Sequence, residues 1–536
     1  MTVTARIGSD TRTDRWMARL AGLVAAGVAL GVGELVAGTA TPSQSLVGSV
    51  GGEVIDHAPG SVVRTGIDSL GTADKPVLVA TIVVLCLALG ALVGGEARRR
   101  PWVGPVAFSL GGLVGLLAGL RDPLGDDAVV WVATILAVGS GSVTLILLLR
   151  LLPERPRQPD DGPVATPIPV PGRATGSRRS FLTWTGVAGA AGVAAAIGGR
   201  ALRGGSPAEE ARTTVVLPAP EPTAAGAAPV TAGSDGGFAI DGLAPLITPN
   251  DDFYRIDTAL ILPQADLASW RLEIEGEVDQ TLSFSYDDLL AMPQVAVPVT
   301  IACVSNQVGG NLVGTAVWQG VPLATLLDQA GVRPGGEQIV GRSLDDFTVG
   351  FPTSAAYDGR TALLAVGMNG EPLPVIHGFP ARLIVEGLYG YVSATKWLKR
   401  IELRGWEEYD AYWVPLGWAK EGPIKTQSRI DVPLTTKKMA AGQTYNIAGV
   451  AWAPGRGITK VEMQVDDGPW VEAELSPATS DATWRQWVLP WTAVPGKHRV
   501  SVRATDGTGA LQIEDEARPD PDGATGYHRK VYKVEG

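Results

Sequence analysis

Cys303 is the one cysteine in the polar C-terminal part of this 536-residue chain; the other, Cys86, lies in a hydrophobic run far upstream. The stretch Val297-Pro298-Val299-Thr300-Ile301-Ala302 reads as an apolar strand that delivers the thiol into small and amide residues, Val304-Ser305-Asn306-Gln307-Val308-Gly309-Gly310. A thiol so placed is a buried small hydrophobe, a nucleophile or a metal ligand. Histidine occurs only at 57, 377, 498 and 528. None is near Cys303 in sequence, which weakens a hydrolytic Cys–His pair, although His377 can still meet the thiol in space. One cysteine and three scattered histidines form no spaced zinc cluster. A haem attached through Cys-x-x-Cys-His is excluded by the cysteine count. A lone thiolate suits a transition metal whose remaining ligands come mostly from a cofactor. A bridge between two Cys303 thiols is disfavoured by the buried-strand setting.

The elements that must position this thiol follow a membrane module. Charged residues make up only 18% of the chain. Four apolar runs, 16–38, 76–95, 103–120 and 128–149, have the length of membrane-crossing helices. Arg6, Arg12, Arg15 and Arg19 precede the first run, Arg98 to Arg100 follow the second, and Arg150, Arg155 and Arg157 follow the fourth. The positive-inside rule then puts both ends of the module in the cytoplasm. A Pro-rich linker leads to Arg178-Arg179 beside Phe181-Leu182 and a Gly/Ala-rich stretch, 177–199, which resembles a twin-arginine export signal; the alternative is an ordinary fifth span. Export by that route carries folded proteins, so everything after residue 200 is expected outside the cytoplasmic membrane with a cofactor already bound.

Residues 208–237, rich in Ala, Pro, Thr and Gly, read as a flexible tether within a linker region of 153–237. Strands alternate with short helices over 238–429, including a helix capped by Ser285, so an α+β domain is expected there. From Ile430 to 536, alternating strands with Asp-Gly turns predict a small β-sandwich. The net charge of −11 and the lack of a basic, aromatic-interleaved patch argue against nucleic acid as a partner.

Five ordered blocks carry a resemblance: Asn250 to Asp257, the Cys303 segment, Met368 to Pro374, His377-Gly-Phe-Pro-Ala-Arg382, and Thr395 to Leu398. Together they resemble the molybdopterin-binding domain of the sulfite oxidase family, and 430–536 resembles that family's immunoglobulin-like dimerisation domain. The resemblance implies Cys303 as a molybdenum ligand beside one pterin dithiolene. It also implies cofactor contacts from Phe253, Tyr254, Arg255, Ile256 and Asp257, from His377 and Arg382, and from Ala394, Thr395 and Lys396. The chemistry agrees, because Arg255, Arg382 and Lys396 are charge-assisted donors suited to a phosphate-bearing pterin. Tyr412 resembles the family's active-site tyrosine, a hydrogen-bond donor to substrate or to an oxygen at the metal; its aromatic surroundings fit a packing role equally.

Substrate is less defined. Where sulfite-oxidising relatives usually carry arginine shortly after the cysteine, this chain has Asn306-Gln307. Neutral amides can bond a substrate oxygen but do not favour a dianion. A small sulfur or nitrogen oxyanion or oxide is expected, with two-electron oxygen-atom transfer as the reaction. No histidine falls within a predicted span, so no haem is expected in the module, and electrons would pass to a separate carrier. A homodimer through the C-terminal domain is a further expectation. The reading of another class is a non-catalytic, membrane-anchored binding or assembly protein that keeps the fold.

Overall fold

The computed structural model describes residues 7–40, 44–60, 73–152, 177–202, 206–222 and 236–536, together with Val62 and Gly66. Most of the Pro-rich linker and the middle of the expected tether lie outside these residues. The chain divides into two compact units, Met1–Ser206 and Pro207–Gly536.

The first unit is helical: α1 (Ile7–Gly38), α2 (Leu46–His57), α3 (Asp74–Ala97), α4 (Val103–Arg121), α5 (Asp127–Arg150) and α6 (Arg178–Leu202). Five of these are long and apolar enough to cross a membrane, one more than the four runs predicted, because the arginine-led segment forms α6. That segment therefore belongs to the helical unit rather than to a linker. α2, capped by Ser45 onto the Gly48 N–H, occupies the loop between the first two spans. Small residues bring the helix backbones together, as apolar surroundings demand. Gly31 faces the Gly192 carbonyl and Gly38 the Gly199 carbonyl, so α1 and α6 run in the same direction. Ala18 meets Gly94 and Ala26 meets Gly90, so α1 and α3 run in opposite directions.

The second unit starts earlier than predicted. α7 (Pro207–Thr214) buries Ala208 completely in the domain core, and Glu221 bridges Val295, so residues 207–222 are packed strap rather than free tether. The α+β domain follows with β1 (Leu272–Gly276), β2 (Leu282–Phe284), α8 (Tyr286–Ala291), β3 (Val295–Ala302), β4 (Val313–Pro322) and α9 (Leu323–Ala330). It continues with β5 (Gln338–Ser343), β6 (Thr348–Pro352), β7 (Ala362–Met368), β8 (Glu371–Pro372), β9 (Arg382–Val385), α10 (Gly390–Ser393) and β10 (Leu398–Arg404). One sheet has the order β2-β1-β10-β5-β6; the other runs β3-β4-β7-β8, with β9 also on β7. Apart from the parallel β1–β10 pair, their neighbours are antiparallel. α8 has the expected Ser285 cap, completed to a capping box by Asp288.

The C-terminal part has two sheets. Gln427–Val432, Thr444–Trp452 and Arg485–Thr492 face Ile458–Val465, Gly496–Asp506 and His528–Glu535. Between them lies a core with Ile430, Ile447 and Trp487 from one side and Val461, Val500 and Tyr532 from the other. This is a β-sandwich by packing. Phe238, Ile240 and Leu243 pack on its Val432, Ala448 and Val488, so the expected boundary at 238 falls inside a segment that serves the sandwich. Trp484 reaches back, donating to the Leu246 carbonyl at 2.8 Å.

Candidate active site

Cys303 follows the last residue of β3, and its N–H donates to Leu312 O at 2.9 Å, closing the loop that follows. The loop is tied internally. Asn306 Oδ1 accepts from Leu312 N at 2.9 Å and Gln307 O accepts from Gly310 N at 2.8 Å. It is also tied to the sandwich, where Arg429 donates to Gly310 O at 2.8 Å and the His528 ring lies against Gly309. The thiol is buried, and burial pushes its pKa up against opposing hydrogen bonds from Ser305. Burial thus keeps the group a neutral thiol at pH 7; a metal ion is the natural stabiliser of the thiolate.

Residues 250–257 start beside His377, where Asn250 is bonded, pass over β4 at Phe253 and end at Asp257 among a cluster of cations. Phe253 is core: it stacks on Tyr254 at 5.2 Å and sets its ring edge to Trp318 and His377 at 5.7 and 5.6 Å. Tyr254 is partly buried within electrostatic reach of both Cys303 and Arg382, and desolvation, then the sulfur's charge, raises its pKa. Asp257 accepts from Arg255 at 2.9 Å and from Lys396 at 2.8 Å through one oxygen. Ile256 is half exposed between them.

The cations stand on the turns around β9. Arg382, its first residue, is 4% exposed, lies 4.8 Å from the Trp318 ring centroid and donates to His377 O at 3.0 Å. Its Nε is buried without an acceptor, and no carboxylate pairs with the guanidinium among the described residues. Burial lowers its pKa to about 10. Burial also lowers Lys396 to about 8, against the pull of Asp257. His377 is lowered to about 4 by burial and by Arg382, Lys396 and Arg255, while its bond to the Asn250 carbonyl opposes this. The ring is neutral at pH 7. Because a carbonyl can only accept, Nε2 donates to Asn250 O at 3.0 Å and Nδ1 carries the lone pair. The expected donation from this histidine to a pterin therefore requires its protonation.

Gly378 makes the cluster compact. Its φ of +114° lies where side chains rarely fit, and a Cβ there would sit 3.1 Å from Lys396 Cα and 3.2 Å from Arg382 Cβ.

Sequence reasoning missed three supporting residues. Asn369, in the left-handed turn after β7, donates to Thr248 O at 2.9 Å and Asn250 Oδ1 at 2.8 Å, fixing the side chain of the residue whose backbone carbonyl accepts from His377. Trp318 supplies the π face under Arg382, and Asn250 the acceptor for His377. The Asn369-Gly370 pair is a turn signal; nothing in the sequence marks Trp318 as more than core.

The remaining candidates also make contacts within the chain. The Thr395 hydroxyl donates to Gly341 O at 3.3 Å, and Ala394 ends α10 with its N–H on Gly390 O, so both shape the turn that presents Lys396. Asn306 uses its oxygen on its own loop, while Gln307 is exposed. Tyr412 donates its N–H to Thr348 Oγ1 at 3.1 Å and packs its ring with Phe347 and Trp413 at 5.4 and 5.2 Å. These neighbours include the start of β6, in the other sheet from the one that ends at Cys303.

An extended polyanion with a metal at one end fits this layout. Arg382 is opposite Ala365, itself paired with Gly320, while Ala302 pairs with Val313. The sulfur and the cations thus attach to β4 about 20 Å apart at the usual rise per residue, and long side chains reach inward from both ends. Among the described residues no three His, Cys, Asp or Glu side chains form a metal cluster, so a metal at Cys303 needs ligands from another molecule.

Residues 259–413 match the oxidoreductase molybdopterin-binding domain family. The chain is 32% identical over 322 residues to mitochondrial sulfite oxidase of Mus musculus, covering 51% of this chain and 58% of that one. It is 29% identical over 270 residues to an NADH nitrate reductase of Brassica napus, covering 40% and 29%. Among solved structures, the sulfane dehydrogenase SoxCD of Paracoccus pantotrophus aligns at 24% identity and TM-score 0.48, over 56% of this chain and 85% of that one. The chain spans little more than half the length of the sulfite oxidases it matches.

Proposed function

We propose a function from the premise that this chain belongs to the sulfite oxidase family of molybdopterin-dependent oxidoreductases. The proposal is a membrane-attached, exported enzyme that transfers an oxygen atom to or from a small sulfur or nitrogen oxyanion or oxide. The observation that carries it is Arg382: a buried guanidinium with an idle Nε and no carboxylate is costly unless an anion completes the site. Molybdopterin, when bound, supplies the two-electron redox chemistry and the soft ligands that complete the metal's shell. Cys303 provides the protein's own ligand. Arg382, Lys396 and, once protonated, His377 hold the pterin and its phosphate. Tyr254 fills the space between the two ends, and Phe253 and Trp318 wall the site against water. Ser305 orients the sulfur through its hydrogen bonds.

On the substrate side, Gln307 is placed on the exposed part of the Cys303 loop, and Tyr412 retains the role that its family resemblance implies. Without an arginine in that loop, a monoanion or neutral oxide is favoured over a dianion. Sulfite and methionine sulfoxide, assayed in both directions beside Gln307→Arg, test this. The expected result is weak sulfite oxidation that rises in the variant; strong sulfite oxidation unchanged by the variant contradicts it.

The membrane arrangement is part of the proposal. α1 and α6 lie parallel, and both begin at arginines, so the positive-inside rule starts both in the cytoplasm. The second unit then follows α6 on the outer face. The sandwich is read as the family's immunoglobulin-like dimerisation domain, and a separate protein is read as the electron carrier.

A further inference from the structure

The strap that enters the second unit ends on the scaffold of the cation cluster. α7 lies against the Val375–His377 turn. Its Arg212, 17% exposed, pairs with Glu209 at 2.7 Å, reaches Glu371 at 3.4 Å and donates to the Pro372 carbonyl at 3.1 Å. The other oxygen of Glu371 accepts from Asn250 Nδ2. Asn250 O in turn accepts a hydrogen bond from His377 Nε2. Beyond the helix, Gln319 Nε2 donates to Pro218 O at 2.7 Å, and Glu221 N donates to Gln294 O at 2.7 Å. The strap is thus fastened to β4, to the residue before β3, and to β8.

We infer that residues 207–222 are a positioning strap, in which Arg212 acts through Glu371 and Asn250 to set the His377 ring for pterin binding. Glu371 is 47% exposed, and without Arg212 its carboxylate is free to turn to solvent. Asn250 then loses one of the bonds that aim its carbonyl. The strap lies outside the matched residues 259–413, so on this inference retention of the cofactor depends on a segment beyond the matched domain. The inference rests on the molybdopterin reading.

The test uses the full chain from cells that make molybdopterin, with Arg212→Ala and Arg212→Lys. Two quantities are read: the rate of pterin loss on dialysis, and the ¹⁵N shifts of the His377 imidazole, assigned with His377→Gln. Arg212→Ala is expected to lose pterin about tenfold faster, the scale typical of removing an outer partner of a binding residue. It is also expected to shift the His377 ring nitrogens, and Arg212→Lys restores both. Wild-type retention and shifts in Arg212→Ala overturn the inference, as does a loss that lysine fails to restore. If the wild type holds no pterin, the molybdopterin reading fails separately. The imidazole shifts of the pterin-free chains then still decide the strap: a shift in Arg212→Ala upholds its hold on His377, and none refutes it.

Discussion

Arg382, Lys396 and His377 are held in electrostatic tension. Two cations are buried, of which Lys396 pairs with Asp257 and Arg382 with no carboxylate among the described residues, and the histidine beside them stays neutral. Arg382→Met keeps much of the volume and removes the unpaired charge. The cofactor-free protein is expected to gain about 1 kcal/mol or more in denaturant unfolding while pterin binding is lost. A large destabilisation would mean that Arg382 is structural. The pH dependence has a definite sign. His377 falls from 6.5 to about 4 on folding, so the unfolded chain binds the proton first as pH drops. Stability of the cofactor-free protein therefore declines from about pH 6.5 to 4. His528, also lowered to about 4 by burial, adds to the decline, and His377→Gln removes only its own share. Melting temperatures across that range check it. The clustering of Arg382, Lys396 and His377 follows from ordered blocks of rare residue types that the sequence displays. The bonds of Thr395 to Gly341 O and of Asn306 to Leu312 N were not legible, because they depend on how the chain folds back.

Elements position the site through close approach. Gly378 brings the His377 turn, β9 and the Lys396 turn together. Gly378→Ala is expected to cost about 2 kcal/mol, the scale of a residue held in an unfavourable backbone region, and to release pterin faster; unchanged unfolding and retention would contradict the packing argument. In the helical unit, Gly192→Leu in α6 forces α1 away where backbone meets backbone. Loss of detergent-stable, full-length protein is expected, whereas Gly186→Leu, which meets nothing within 4 Å, is tolerated. The α8 cap and the Cys303 strand were readable from local rules. The strap was not, because Ala/Pro/Thr composition says flexible while the burial of Ala208 and the Arg212–Glu371 pair are tertiary facts. α6 was ambiguous for a related reason: a weakly apolar Gly/Ala segment suits an export signal and a tightly packed helix alike.

At the scale of the whole molecule, a family resemblance carried by short blocks made the α+β domain legible. Mean composition alone said only that part of the chain is apolar. The order of parts places the domain that matches the molybdopterin-binding family after a set of helices long and apolar enough to cross a membrane, with the sandwich locked onto the Cys303 loop through Arg429 and Gly310. External protease added to intact cells is expected to cleave within the second unit, and cleavage only after lysis would reverse the proposed orientation. The central claim is that Cys303 is the protein's ligand to a molybdenum held by pterin. Metal analysis of the full chain from molybdopterin-making cells, beside Cys303→Ser, tests it most directly. About one molybdenum per chain is expected, with pterin retained but the metal's absorption spectrum altered in the serine variant, since one soft ligand is replaced. A folded wild type free of molybdenum, or a variant with an unchanged metal spectrum, would contradict it.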